Sequence, residues 1–334
     1  MLNYAIIGFG GLGKFHFSNT EKLKKEVEDL NLVALCDIDE ETFKTQTTTN
    51  LGDNNNNLVL SQYKLYTDID EMLSKEKLDF VITALPTNIH EKIAVQVMKK
   101  GIHVFSEKPI ALNLEQAQNM IDASKEYNVK LMIGHCVRYF SEYKILKRII
   151  DSKEYGNVLC ADFYRLSETP TWSWENWMCD EEKSGGAVLD LHIHDVDYIN
   201  YVFGKPNAVT SRVTNKDTKH DAVTTIFDYD NMFVTATGAW GMKAKYPFSS
   251  GFTVRFEEAT LDCKGGILML YTDNEAKQLE IPEESGHISE VIDFIDCIKN
   301  DKESKINTAE TAKISLEIAL AEKRSADKKE TIKL

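Results

Sequence analysis

The first third of the chain alternates short, almost wholly apolar runs with longer stretches of helical period. The apolar runs are residues 4–8 (YAIIG), 32–36 (LVALC), 78–85 (LDFVITAL) and 129–133 (VKLMI), with a shorter one at His103, Val104 and Phe105. Helical spacing is read over 14–29, 88–99 and 113–127. In the second of these Ile89, Ile93, Ala94 and Val97 share one side, and Gly101 supplies the stop. Strands that are apolar on both sides, alternating with amphipathic helices, predict a parallel sheet covered on both faces. The polar stretch 45–57 (TQTTTNLGDNNNN) reads as a surface loop.

Beyond about residue 135 the rhythm changes. Helices are expected over 140–151 and 187–203, the second ending at Gly204-Lys205-Pro206. Strand-like runs follow at 207–214, 222–229, 232–239, 252–257, 259–263 and 267–271, several joined by short turns such as Asp230-Asn231 and Gly265-Gly266. Short connections force antiparallel pairing. Two more helices are read near 287–299 and 308–326. The expected fold class is therefore α/β. A doubly wound parallel sheet over 1–134 precedes an α+β domain over 135–334 with one large, mostly antiparallel open sheet.

Composition narrows the function. The 334 residues are 43% apolar and 28% charged, ordinary globular values. A net charge of −14 repels phosphate backbones, so nucleic acid is not an expected partner. No apolar run approaches the ~18 residues of a membrane helix, and MLNYAIIGFG is read as a strand entering a turn, not as a leader. The six cysteines are scattered without a C-x-x-C pair. They are expected to be reduced thiols in a cytoplasmic protein, and no metal centre is expected.

Candidate chemistry starts at the first turn. Gly8, Gly10 and Gly13 form G-x-G-x-x-G after a strand and before a helix. The first glycine permits the tight turn, the second lets backbone approach a pyrophosphate, and the third allows helix and strand to pack closely. Gly11 and Leu12 belong to the same loop. Asp37 ends the second run 24 positions after Gly13, near the roughly 20-residue spacing of the acidic residue that binds the adenosine ribose. A carboxylate accepts from the ribose hydroxyls and repels a 2′-phosphate. No arginine follows it, so NAD is expected over NADP. Pro86, Thr87, Asn88 and His90 follow the third strand at the same sheet edge and are further cofactor candidates, Asn88 also as the cap of its helix.

Ser106-Glu107-Lys108-Pro109 follows the strand at 103–105 and so shares that edge. Together with the glycine loop, Asp37 and the later S-G-G-A-V-L-D-L-H-I-H, this H-V-F-S-E-K-P stretch resembles the Gfo/Idh/MocA family of oxidoreductases over nearly the whole chain. The resemblance implies that Lys108 is catalytic, beside nicotinamide and substrate, with Glu107 in support and the bond before Pro109 cis. It gives Asp190 and His194, the D-x-x-x-H pair, the remaining catalytic roles and Asp197 a contact to polyol hydroxyls. Relatives carry a small residue where this chain has His192, which puts an extra polar group near the pocket. The resemblance also implies a carbohydrate, polyol or related cyclic alcohol as substrate, and a homodimer or homotetramer built on the open sheet.

The residue types suit that chemistry. Histidine accepts a proton near neutrality, a lysine ammonium stabilises a developing alkoxide, and hydride transfer needs the cofactor. Arg138, Tyr139, Arg165 and Trp177 complete the substrate candidates. The alternative for Arg165 is a surface ion pair, and for Trp172, Trp174 and Trp177 it is core packing. Asp190, His192 and His194 could instead ligate a metal if 188–194 were a strand at a barrel mouth, but the chain shows no barrel pattern. Two other functional classes are a non-catalytic sugar or NAD sensor and a redox-neutral glycosidase that uses NAD transiently.

Overall fold

The computed structural model describes residues 1–45, 48–49, 52–53 and 59–334. It divides into two compact units. The first comprises Met1–Gly134, Thr171–Met178 and Ile288–Glu310, and the second His135–Pro170, Cys179–His287 and Thr311–Leu334.

The first unit is built on a six-stranded parallel sheet in the order Lys64–Tyr66, Leu30–Cys36, Leu2–Ile7, Phe80–Thr83, His103–Glu107, Leu131–Gly134. The order reverses between Leu2–Ile7 and Phe80–Thr83, and this switch point is where open α/β sheets leave a crevice for ligands. Ile7 pairs with Thr83, so both strands end at one level. The short edge strand Lys64–Tyr66 carries no apolar run and had no counterpart in the sequence pattern. The helix expected over 14–29 is two helices, Gly11–Ser18 and Thr20–Glu26, meeting at Asn19. Most of the loop expected over 45–57 lies outside the described residues; Thr48–Thr49 and Gly52–Asp53 pair antiparallel within it.

The core explains where the chain divides. Tyr4 and Phe80 stack with ring centres 4.9 Å apart, and Phe294 meets Phe80 and Phe105 edge-on at 5.8 and 5.7 Å. Ile288, Val291, Ile295 and Cys297 join the same cluster. The helix Gly286–Lys299 thus puts its apolar side into the parallel-sheet core. The compact units therefore do not follow chain order throughout: 171–178 and 288–310 lie with the first unit, and burial of 288–297 in its core holds the second of these there.

The second unit carries a nine-stranded sheet in the order Ala276–Leu279, Ile267–Tyr271, Thr260–Lys264, Ser249–Phe256, Val158–Leu166, Phe233–Ala239, Ala222–Asp228, Ala208–Thr214, Ile332–Lys333. All pairs are antiparallel except Val158–Leu166 with Phe233–Ala239. Along Ala222–Asp228, Val223, Thr225 and Phe227 are buried while Thr224 and Ile226 are exposed, so one face is covered. The helices Ser141–Ser152 and Ile193–Phe203 contribute to that cover, with Tyr143 against Phe252 and Tyr198 against Phe163. The opposite face leaves Ile226 and Phe233 exposed. No helix among the described residues is long and apolar enough to cross a membrane. All six cysteines are free thiols.

Candidate functional site

The glycine loop follows directly on the switch point. Gly8 has φ +88, and a Cβ there would lie 2.3 Å from the Ala84 carbonyl oxygen. A Cβ on Gly13 would lie 1.9 Å from the Gly8 carbonyl oxygen. Both positions therefore exclude any side chain. Gly10 differs, since nothing lies within 4 Å of where its Cβ would be. It precedes the helix Gly11–Ser18, whose start has no side-chain cap. An uncapped helix start behind an open glycine offers unspent N–H groups to an anion.

Asp37 closes the loop from the neighbouring strand. Its carboxylate accepts from the Phe9 N–H at 2.6 Å and the Asp39 N–H at 2.9 Å. Burial raises its pKa more than these N–H groups lower it. The buried Lys14 donates to the Thr45 carbonyl oxygen at 2.7 Å, and burial lowers its pKa against the pull of Asp37. Open glycine, helix start and acidic strand end together fit a dinucleotide.

The next strand end is arranged differently from expectation. Asn88 is exposed and does not cap; the helix His90–Met98 has Ile89 at its cap position with no side-chain bond. Thr87 is buried. His90 is buried too, with Nδ1 2.9 Å from the Pro109 carbonyl oxygen and Nε2 2.8 Å from that of Leu85. Both ring nitrogens are spent on backbone, which replaces the expected cofactor contact with a bracing one. Burial holds the His90 pKa below its ordinary range, although the two carbonyls and Glu107 oppose it.

Lys108 stands out by its exposure. From Val104 to Ala111 every residue is buried except Lys108, which is half-buried. Its bond to Pro109 is cis. Glu107, the last residue of its strand, places Oε1 2.6 Å from His16 Nε2 in a buried pair.

The second unit shows the same pattern. Val188–His192 winds as a wide π-type turn that runs straight into the helix Ile193–Phe203. Such turns recur at functional sites. A helix here removes the metal reading that needed a strand. Between Ser184 and Asn200 every residue is buried except Asp190 and His194.

His192, Arg138, Arg165 and Asp197, further candidates in this unit, are held in buried ion pairs. His192 is fully buried against Glu322, Nε2 to Oε1 2.9 Å, so it adds no polar group to a solvent-facing pocket. Burial works against its imidazolium, but Glu322 and Asp195 outweigh that and raise its pKa. A Cβ on Gly238 would lie 2.6 Å from the His192 Cβ, so that glycine makes its room. Arg165 is not a surface pair either; it donates through Nε and Nη2 to Asp195, both at 3.0 Å, deep in the unit. Arg138 grips Asp197 the same way, at 2.7 and 2.6 Å, and Ser315 donates to Asp197 at 2.8 Å. Asp197 is completely buried, so its expected contact to polyol hydroxyls gives way to an internal ion pair. Tyr139 is buried. Of the three candidate tryptophans, which lie in the first unit, Trp174 is exposed while Trp172 and Trp177 are half-buried, so none of the three fills a core. Glu322, Asp195 and Ser315 were not singled out in the sequence, because partners 30 to 130 positions apart leave no local signal.

Comparison with known proteins agrees with this layout. Residues 2–135 match the model of the GFO/IDH/MocA oxidoreductase family's NAD-binding Rossmann domain, and 143–262 match the family's C-terminal domain. A 2,7-anhydro-N-acetylneuraminate hydratase of Mediterraneibacter gnavus is 28% identical over 260 residues, 74% of this chain and 63% of that protein. A glucose-6-phosphate 3-dehydrogenase of Bacillus subtilis is 28% identical over 242 residues, 70% of this chain and 64% of that protein. The chain thus spans less than two thirds of the length of these relatives. An aldose-aldose oxidoreductase structure from Caulobacter crescentus superposes with TM-score 0.83 at 18% identity, over 100% of this chain and 99% of that one.

Proposed function

The chain belongs to the Gfo/Idh/MocA oxidoreductase family, and on that footing we propose that it is an NAD-dependent dehydrogenase acting on a secondary alcohol of a sugar or polyol. The observation that carries this is the burial pattern. In two otherwise sealed segments the side chains that reach the surface are Lys108, Asp190 and His194. Ionisable side chains kept partly exposed within otherwise buried segments suit acid–base chemistry, which needs its groups within reach of a substrate.

In this reading the glycine loop at Gly8, Gly10, Gly11, Leu12 and Gly13 takes the pyrophosphate. Asp37 takes the adenosine ribose and disfavours a 2′-phosphate, and Pro86, Thr87 and Asn88 line the same edge. The bound nicotinamide supplies the hydride acceptor that no side chain can be. His194 accepts the hydroxyl proton of the substrate. The Lys108 ammonium polarises the substrate oxygen and stabilises its negative charge. Asp190, one turn before His194, orients the imidazole. The substrate class follows the relatives, of which the Bacillus subtilis protein is a glucose-6-phosphate 3-dehydrogenase. The exposed face of the nine-stranded sheet is the proposed self-association surface.

A second reading rests on the similarity to the anhydro-sialic acid hydratase: a redox-neutral reaction in which the cofactor is used transiently. NADH accumulation with an excess of substrate separates the two. A dehydrogenase accumulates it stoichiometrically with ketone, and a redox-neutral enzyme converts substrate with none.

A further inference from the structure

We infer that His16 is a positioning residue for Lys108, acting through the carboxylate of Glu107. The inference rests on the reading of Lys108 as the catalytic lysine.

Glu107 ends a strand whose residues from Val104 onward are buried. A carboxylate in such a place is costly unless it is partnered. Three features surround this one. His16 approaches with Nε2 at 2.6 Å. The neighbouring strand ends in Gly134, where a Cβ would lie 3.0 Å from Glu107 Oε2, so a side chain there would crowd the carboxylate. Phe105 packs edge-on to the His16 ring at 6.0 Å and holds it in place. An apolar residue at position 107 would need none of this. What the arrangement supplies is a fixed strand end immediately before Lys108.

The other side of Lys108 is held as well, by His90 Nδ1 on the Pro109 carbonyl oxygen. The two histidines come from different elements. His90 begins the helix His90–Met98, and His16 lies in the helix Gly11–Ser18 that opens at the glycine loop. His16 therefore ties the proposed pyrophosphate helix to the backbone that carries Lys108. Geometry of this kind matters steeply, since a displacement of about 1 Å can cost on the order of 100-fold in rate.

The test uses the full-length protein with His16→Leu, which keeps bulk and removes the donor, and His16→Gln, which restores a donor near the Nε2 position. Glu107→Gln, which retains an acceptor for His16, is the second route if His16→Leu does not fold. Lys108 reactivity is read with an amine-directed acylating reagent across pH, quantified on the Lys108 peptide by mass spectrometry. NADH affinity is read separately by fluorescence. His16→Leu should shift the Lys108 labelling profile and lower kcat by roughly 10- to 100-fold while NADH still binds, and His16→Gln should return both toward wild type. In Glu107→Gln, where a neutral amide replaces the carboxylate that His16 holds, the profile should shift from wild type as well, and an unshifted profile there overturns the inference. Unaltered Lys108 labelling in His16→Leu overturns the inference, as does loss of NADH binding as the sole change. The labelling arm needs no turnover, so failure of the dehydrogenase reading shows as wild-type inactivity on every alcohol and leaves this test standing.

Discussion

Asp190 and His194 lie four positions apart on a continuous helical path and are the two residues from Ser184 to Asn200 that the fold does not bury. Residues four apart share a helix face, so carboxylate and imidazole are presented together. Because neither fills the core, Asp190→Asn and His194→Asn should leave thermal stability near wild type. Turnover should fall by about 100-fold or more. Steady-state kinetics beside calorimetry checks this; a large drop in Tm with intact kcat would move both residues to a structural role.

His192 is the opposite case. Its pKa is raised in the folded protein, despite full burial, by the Glu322 carboxylate and Asp195. A group raised in the folded state contributes stability that is fully present below its unfolded value, near 6.5, and is lost as pH rises through the folded value. Tm should therefore decline as pH rises above about 6.5. Removing the partner by Glu322→Ala should cost about 3–5 kcal/mol and flatten that dependence in a pH series of melts. A Tm indifferent to pH over this range in the wild type would contradict the assignment.

Arg138 and Asp197 make the matching prediction on the acid side. Burial opposes the Asp197 carboxylate, but Arg138, His135 and Ser315 overcome that and lower its pKa. Stability from a depressed carboxyl is present above its unfolded value, near 3.9, and is lost as pH falls through the folded one. Asp197→Asn should destabilise the protein by about 3 kcal/mol or more and steepen no substrate KM. A selective rise in KM at unchanged Tm would restore Asp197 to the substrate.

Asp37 tests the cofactor end. Its carboxylate holds the Phe9 N–H at 2.6 Å and is the proposed ribose ligand. Asp37→Ala should weaken NADH binding by about 10-fold, the worth of a hydrogen bond to a charged group. It should also narrow the preference for NADH over NADPH. Fluorescence titration with both cofactors reads the two effects at once.

The parallel sheet was legible because both-sided burial leaves uninterrupted apolar runs, and the antiparallel strands because short turns and alternation mark them. The edge strand Lys64–Tyr66 was not, because an edge needs no apolar face. Membership of the helix Gly286–Lys299 was also hidden, since its apolar side has the same pattern against any sheet. At the site, spacing picked out Gly8 and Asp37, and the family resemblance picked out Lys108, Asp190 and His194. The resemblance equally picked out Asp197, and place in the chain picked out Arg138 and Arg165, all of which the structure commits to buried pairs. Charge type alone does not distinguish an open group from a sealed one. That difference lies in partners such as Asp195 and Glu322 elsewhere in the chain.

The central claim is tested most directly by following NADH formation from NAD with a panel of inositols, aldoses, anhydro-sugars and sugar acids, wild type beside Lys108→Ala. The account predicts turnover on at least one secondary alcohol, reduced by about 100-fold or more in the variant, with NADH affinity retained. Equal turnover by Lys108→Ala, or conversion of substrate without any NADH, would contradict it.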